Sequence, residues 1–431
     1  MRKRKISFET LGCRYNRLES SEMAYELEQA GYALAPSSGD SDVVVINTCS
    51  VTSKSAARCR VAVRKAKDAN PKALIVVAGC YSETNPDEAI KLPGVDIVLD
   101  NLSKFDVAQA LKKLNGISPL HIIKKEKRES LEVRPITKME GRTNAYLNIQ
   151  SGCGEDCSFC IVKVARGKNR SASSTDIVTQ VKRLSESGIK EVALSGINIG
   201  EFGKGGKDNL ARLVMRILDE TDIPRVRLSS INPNNVTDEL IDLMASSPRF
   251  CRHLHIPLQS GSDSVLKRMN RPYSADMYED LLNRLAERVP GIGLGADVMA
   301  GFPSETENEF HETFNLIERS PLMMLHVFSY SPRKGTEAYI MQNNVSKEIK
   351  KKRSALLKGL SIEKNKNMRG RFVGKNMNVL IENKRGKDGF LKGFSDNYLP
   401  VALKGPDKIR NEIVSVKILS DSGERLIGEP A

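Results

Sequence analysis

Ile149-Gln150-Ser151-Gly152-Cys153-Gly154-Glu155-Asp156-Cys157-Ser158-Phe159-Cys160-Ile161 is the stretch on which the reading of this chain turns. Its cysteines stand four and then three positions apart and follow the apolar run Ala145-Tyr146-Leu147-Asn148-Ile149, so the sequence predicts a loop leaving a strand. A disulfide or a buried apolar cluster explains the loop poorly. Glycine and acidic residues surround the sulfurs, and no secretory signal points to an oxidising compartment. Three thiolates on one short loop make a metal site. A tetrahedral zinc normally takes four protein ligands, whereas an iron–sulfur cube can be held by three thiolates, with its fourth iron open to a small molecule.

Upstream, residues 1–118 alternate short apolar strands (Ile6–Thr10, Val43–Asn47, Leu74–Ala78) with helical patterns (Arg17–Ala30, Ser53–Ala69), the signature of a parallel sheet flanked by helices. Cys13, Cys49 and Cys80 each fall just past the carboxyl end of one of these strands. In an open parallel sheet those ends share one edge, where ligands bind, so the three thiols are predicted to converge on a second site. Cys59, inside a helix, and Cys251, alone before His253, read as structural.

Downstream, a mixed-charge linker is predicted over 119–138. Six strand-like runs follow in residues 139–367, at Ala145–Gln150, Glu191–Ser195, Arg225–Ser229, His253–Leu258, Ile292–Met299 and Met323–Tyr330. Six units are too few for a closed eight-fold barrel, which needs about 250 residues, and predict an open one with function at the carboxyl ends of its strands. After a basic helix opening at Ser346, residues 368–431 change to short strands at Phe372-Val373, Met377–Ile381, Gly389–Phe394, Tyr398–Val401 and Ile413–Leu419, a small antiparallel barrel. Lys375, Lys384, Arg385, Lys387, Lys392 and Lys404 are its candidate phosphate contacts, with Phe390, Phe394 and Tyr398 available to stack on bases. Over all 431 residues Lys and Arg exceed Asp and Glu by 67 to 53, a net charge of +14 that favours a polyanionic partner. No apolar run approaches the roughly 18 residues of a membrane helix, and eight cysteines without a secretory signal predict a reducing, cytoplasmic setting.

The Cys153–Cys157–Cys160 spacing, with Phe159 before the third cysteine, resembles the cluster loop of the radical S-adenosylmethionine superfamily. The string from Gln150 to Gly167 is similar to the methylthiotransferase branch, as are Thr10-Leu11-Gly12-Cys13, Asn47-Thr48-Cys49 and Ala78-Gly79-Cys80 in the amino-terminal module. Ser195 to Gly203, His253 to Tyr273 and His326 to Ser331 resemble the members that modify N6-threonylcarbamoyladenosine in tRNA, and the last module resembles a TRAM RNA-binding domain. The chain departs from these patterns at Ser151, Lys163, Asn232 and Gly295-Ala296.

The resemblance implies an enzyme with two 4Fe-4S clusters and S-adenosylmethionine, converting N6-threonylcarbamoyladenosine beside the anticodon to its 2-methylthio form. Cys153, Cys157 and Cys160 would hold the radical-generating cluster. Cys13, Cys49 and Cys80 would hold an auxiliary cluster that carries the sulfur. Phe159, Gly196, Ser229, His255, Gln259 and Asp297 would line the cofactor pocket, and no further catalytic residue is assigned. The implied partners are tRNA, an electron donor such as flavodoxin or ferredoxin, and a sulfur source, with no membrane. Two other readings share many of these features: a methylthiotransferase acting on N6-isopentenyladenosine or on a ribosomal protein, and a non-catalytic iron–sulfur RNA-binding protein.

Overall fold

Val43–Thr48 and Leu74–Gly79 are buried along almost their whole length, the pattern of parallel strands covered on both faces. A computed structural model describes residues 3–50, 54–114, 122–123, 130–134 and 143–431 of the chain. The first sheet contains β1 (Lys5–Thr10), β2 (Ala33–Leu34), β3 (Val43–Thr48), β4 (Leu74–Gly79), β5 (Ile97–Leu99) and β6 (Ile122–Ile123). All pairs are parallel and the order is β2-β1-β3-β4-β5-β6, so the winding reverses between β1 and β3. Met23 and Leu27 of the helix Arg14–Gln29 cover one face, and Cys59, Val63 and Ala66 of the helix Lys54–Ala69 cover the other. Most of the stretch expected as a linker lies outside the described residues. Within it, Ile122–Ile123 extends the first sheet, and Leu131 donates its N–H to Ser171 O.

The central module supplies β7 (Ala145–Ser151), β8 (Arg170–Ser171), β9 (Glu191–Gly196), β10 (Arg225–Leu228), β11 (His253–His255), β12 (Gly293–Ala300) and β13 (Met324–Ser329). β7, β9 and β10 are parallel, β11, β12 and β13 are parallel, and single bridges at Val226–Phe250 and Ser230–His255 join the two sets. The result is the open six-stranded barrel that the sequence predicts, with β8 added antiparallel beside β7. Its helices start on side-chain caps at Ser173, Asn209, Thr237, Ser274 and Thr306. Along β12, Leu294, Ala296, Val298 and Ala300 enter the core under the helices, which turns Gly293, Gly295, Asp297 and Met299 into the lumen.

The helix Lys347–Gly370, capped by Ser346, leads to a closed barrel of β14 (Asn376–Arg385), β15 (Leu391–Ser395), β16 (Pro400–Leu403), β17 (Ile413–Asp421) and β18 (Leu426–Pro430). Phe372-Val373 is not a strand here. The fifth strand is instead β18, whose parallel pairing with β16 a hairpin pattern does not reveal. This barrel sits against the amino-terminal mouth of the half-barrel. Arg225 Nη2 donates to Asn378 O at 2.7 Å, and Arg227 Nη1 donates to Asp396 O at 3.0 Å. Gly293 leaves room for Asn397 O, which any Cβ there would strike.

Candidate active site

Gly152, at φ +74°, folds the Cys153 loop back against the Lys168 carbonyl, where a Cβ has no space. Ser158 N donates to Met269 O, Ser158 Oγ to Arg268 O and Asn270 Nδ2 to Asp156 O, so the loop is pinned by the Arg268–Asn270 segment. Arg271 donates to Cys157 Sγ at 2.9 Å and to Asn232 Oδ1 at 3.0 Å. Asn198 Nδ2 lies 3.8 Å from Cys153 Sγ. Burial pushes the Cys160 thiol up to about 12 and raises Cys153 as well. Thiols so placed ionise when a cation or metal stabilises the thiolate. Phe159 stands edge-on to Phe302 at 6.4 Å in an apolar group with Met299 and Tyr330.

The second trio converges as its strand-end positions predict. Gly12, at φ +102°, lies so close to Cys49 that a Cβ would sit 2.5 Å from its Cβ and 2.9 Å from its sulfur. Gly79, at φ +99°, is pressed equally hard against Asn47 and Thr48. Asn16 Nδ2 donates to Leu11 O and Thr48 O, both at 2.8 Å, tying the loops after β1 and β3 together. Burial raises the Cys13 thiol, Arg166 partly offsets this, and both Cys80 and Cys49 act on it. In neither trio do all the sulfurs lie within 4.8 Å of one another, whereas the atoms of His255, Asp297 and His326 do. Three sulfurs around one zinc at about 2.3 Å would be closer than that, so neither trio is drawn in as tightly as a single zinc ion requires. Cys59 and Cys251 are buried, with thiols pushed to about 12 by desolvation, in keeping with structural roles.

Arg166, six residues after Cys160, joins the two trios. Its guanidinium donates to Glu19 at 2.7 and 3.0 Å and to Asn16 Oδ1 at 2.9 Å, and lies 4.3 Å above the Tyr15 ring. Lys104 Nζ reaches the same Glu19 carboxylate at 2.6 Å, and all three charged side chains are buried. Burial pushes Glu19 upward, but the two cations outweigh it and hold the carboxyl below its ordinary range. Asn16, Glu19 and Lys104 belong to no motif that the sequence displays; their one signal is that Asn16 and Glu19 follow Cys13 on one helix.

The cofactor candidates gather at the strand ends. Gly196 ends β9, where a Cβ would strike Gln150 and Ile199. Ser229 Oγ, Gln259 Oε1 and Asn198 Oδ1 are buried without a hydrogen-bond partner among the described residues. Gln259 also holds φ +65°, a strained conformation for a side-chain-bearing residue. Such orphaned groups at the carboxyl ends of barrel strands suit the hydroxyl, amine and carboxylate groups of a nucleoside cofactor. Deeper in the lumen, His255 Nε2 stands 3.1 Å and His326 Nδ1 3.5 Å from Asp297 Oδ1. Burial raises Asp297, yet the two imidazoles outweigh it and keep the carboxyl well below its usual range.

The floor below is aromatic. Tyr398 stacks on Phe394 at 4.9 Å and 17°, and packs 4.7 Å from His253. These two rings, offered by the sequence as base-stacking candidates on the last barrel, thus face the half-barrel. Arg385 is engaged by Asp407 and by the carbonyls of Gly389 and Gly405, while Lys375, Lys384, Lys387 and Lys404 are exposed.

Residues 5–100 match the model of uncharacterized protein family UPF0004, and residues 147–317 match that of the radical SAM superfamily. The chain is 37% identical to threonylcarbamoyladenosine tRNA methylthiotransferase MtaB of Bacillus subtilis, over 96% of this chain and 93% of the relative. It is 34% identical to the protein of that name from Aquifex aeolicus, over 93% and 97%. A tRNA-2-methylthio-N(6)-dimethylallyladenosine synthase of Thermoanaerobacter matches at 33%, over 98% and 91%. Among solved structures, the radical S-adenosylmethionine methyltransferase TsrM of Kitasatospora setae shares the fold, with a TM-score of 0.57 at 14% identity over 79% of this chain and 77% of that one.

Proposed function

Because this chain belongs to the tRNA methylthiotransferase family of radical S-adenosylmethionine enzymes, we propose that it converts N6-threonylcarbamoyladenosine next to the anticodon of tRNA to the 2-methylthio derivative. The observation that carries the reading is the pair of three-thiol sites, on Cys153, Cys157, Cys160 and on Cys13, Cys49, Cys80, joined across one interface by Arg166. The threonylcarbamoyl substrate rests on the names of the relatives matched at 37% and 34% identity.

Cys153, Cys157 and Cys160 would hold a 4Fe-4S cluster, which in its reduced state would supply the electron for radical chemistry on S-adenosylmethionine. The chain's own residues do the rest. Arg271 orients Cys157 and offsets thiolate charge. Ser229, Gln259 and Asn198 receive polar groups of the cofactor, and Phe159, Phe302 and Tyr330 keep water from one wall of the pocket. We assign the second cluster to Cys13, Cys49 and Cys80, where the inserted sulfur would be held. We divide the chain into residues 1–118, a linker over 119–138, the half-barrel 139–367 and the RNA-binding barrel 368–431. Reduction by flavodoxin or ferredoxin, a separate sulfur source and a cytoplasmic site of action complete the proposal; among the described residues no helix is long and apolar enough to cross a membrane.

Nucleoside analysis of tRNA from a strain lacking the gene tests it. The 2-methylthio-N6-threonylcarbamoyladenosine should vanish and its unthiolated precursor accumulate. Unchanged levels, or loss of the isopentenyl-type product instead, would overturn the substrate assignment.

A further inference from the structure

Arg14 follows Cys13 directly, and its side chain crosses from the first module to the half-barrel floor. Its Nη2 donates to Tyr398 Oη at 2.9 Å, and the guanidinium lies 5.8 Å from that ring's centroid. Its neighbours on the floor are already engaged. Arg227 forms a two-pronged pair with Glu191 at 2.9 Å on each arm, and Arg225 donates to backbone carbonyls of the last barrel. Among the described residues no carboxylate pairs with Arg14, which remains exposed although Tyr146 and Tyr398 both influence its charge. The same two tyrosines, with Lys384, Phe394, the exposed Glu382 and the Glu191 already paired with Arg227, border a cavity of about 350 Å³ between the half-barrel and the last barrel. His253, on the other side of Tyr398, is buried with both ring nitrogens lacking a hydrogen-bond partner.

On the proposed reading, the reacting carbon C2 of the adenine must lie near the thiols of Cys13, Cys49 and Cys80. The N6 substituent leaves the base from C6, one ring atom away from C2 across N1, and carries its carboxylate at the far end of the threonylcarbamoyl chain. A cation anchored one residue from Cys13, with its head displaced toward the floor, is placed to meet that end. A planar guanidinium with unused donors suits a carboxylate, which it can grip through two parallel hydrogen bonds. We propose that Arg14, held against Tyr398, is the specificity-determining residue that binds the carboxylate of the threonylcarbamoyl group.

The inference rests on the substrate reading above, and its test separates the two. Cluster-loaded wild type, Arg14→Gln and Arg14→Lys are titrated with anticodon stem-loops whose target adenosine is unmodified, threonylcarbamoylated, or threonylcarbamoylated with its carboxylate methyl-esterified. A charge-assisted hydrogen bond that the bound stem-loop shields from water corresponds to about 10- to 100-fold in affinity. Wild type should therefore prefer the free acid over both the ester and the unmodified stem-loop by that factor. Arg14→Gln should lose the preference by weakening only the free-acid complex, Arg14→Lys should regain part of it, and both should keep the wild-type iron content and affinity for unmodified stem-loop. A wild type that binds ester and acid equally overturns the proposal without any variant, as does a preference that survives in Arg14→Gln. If wild type binds without preference and methylthiolates only an isopentenylated stem-loop, the substrate reading falls with it. If it methylthiolates the threonylcarbamoylated stem-loop and Arg14→Gln keeps the preference, only the role of Arg14 falls.

Discussion

Replacing Glu19 by Ala removes the carboxylate that Arg166 and Lys104 share, which they approach at 2.7 and 2.6 Å. The side chains of all three are 5% exposed or less, so water cannot take over the lost solvation. Breaking a buried pair by deleting one partner costs about 3–5 kcal/mol, because an uncompensated charge stays in low dielectric. Here two cations are stranded and little hydration is available, which places the expected loss toward the upper end. A domain is stable by only about 5–15 kcal/mol, so this is a large fraction. The damage should be local, however. Glu19 and Lys104 belong to the first module and Arg166 to the half-barrel, and each module has its own apolar core. Glu19→Ala should therefore undock the first module before the half-barrel unfolds. Urea titration followed both by far-ultraviolet circular dichroism and by protease sensitivity would then give two separated transitions where wild type gives coincident ones. Further replacement of Lys104 by Met and Arg166 by Met should recover part of the loss, since the buried charge is gone. A Glu19→Ala protein within about 1 kcal/mol of wild type would refute the argument that this clasp holds the modules together.

Two other outcomes follow from the same geometry. Gly12→Ala forces a Cβ to 2.5 Å from that of Cys49 at φ +102°, so if both proposed clusters form, iron should fall from about eight per chain toward about four; Gly31→Ala, with φ +90° but nothing within 4 Å, should keep full iron and so separates the clash from the backbone strain. Burial and the Glu19 charge push Glu22 up to about 8 from its ordinary 4.5. The folded protein thus holds a proton that the unfolded chain has released, and stability falls as pH rises between those values. Glu22→Gln should leave stability unchanged near pH 4 and raise it by on the order of 1–3 kcal/mol at pH 8, read as a shift in urea midpoint; an equal shift at both pH values would contradict the assigned cause.

What the sequence made legible was local. Each strand of the half-barrel appears as a short apolar run, and Cys13, Cys49 and Cys80 could be placed together because parallel strands put their carboxyl ends on one edge. The motifs around Gly196, Ser229 and Gln259 were legible for the same reason. Three things were not. The Arg166–Glu19–Lys104 clasp joins positions up to 147 residues apart, and although Arg166 falls in the Gln150 to Gly167 string, Glu19 and Lys104 have no periodic or motif context and read as solvent-facing. β18 pairs parallel to β16, outside the hairpin pattern used to count strands. The sequence offers Tyr398 only as an aromatic available to stack, and no local pattern shows that the turn Asp396-Asn397-Tyr398 turns inward, fixed by Arg227 on Asp396 O and by Asn397 Nδ2 on Gly291 O.

These omissions share a physical cause that also bears on function. A six-stranded half-barrel cannot close on itself, so its lumen stays open along one side and at its amino-terminal mouth. The first module covers part of the side through Arg166 and Arg14, and the last barrel covers the mouth through its contacts with Arg225, Arg227 and Gly293. On the proposed function, a nucleotide lifted from its stack would meet residues of three modules: the loop of Cys153, Cys157 and Cys160 in the half-barrel, the strand ends of Cys13, Cys49 and Cys80 in the first module, and Tyr398 of the last barrel. Radical chemistry needs water excluded and the reacting groups held close, and neither condition is met by the half-barrel alone. The contacts that no local pattern displays are the ones that bring the first module and the last barrel against the half-barrel's open side and mouth.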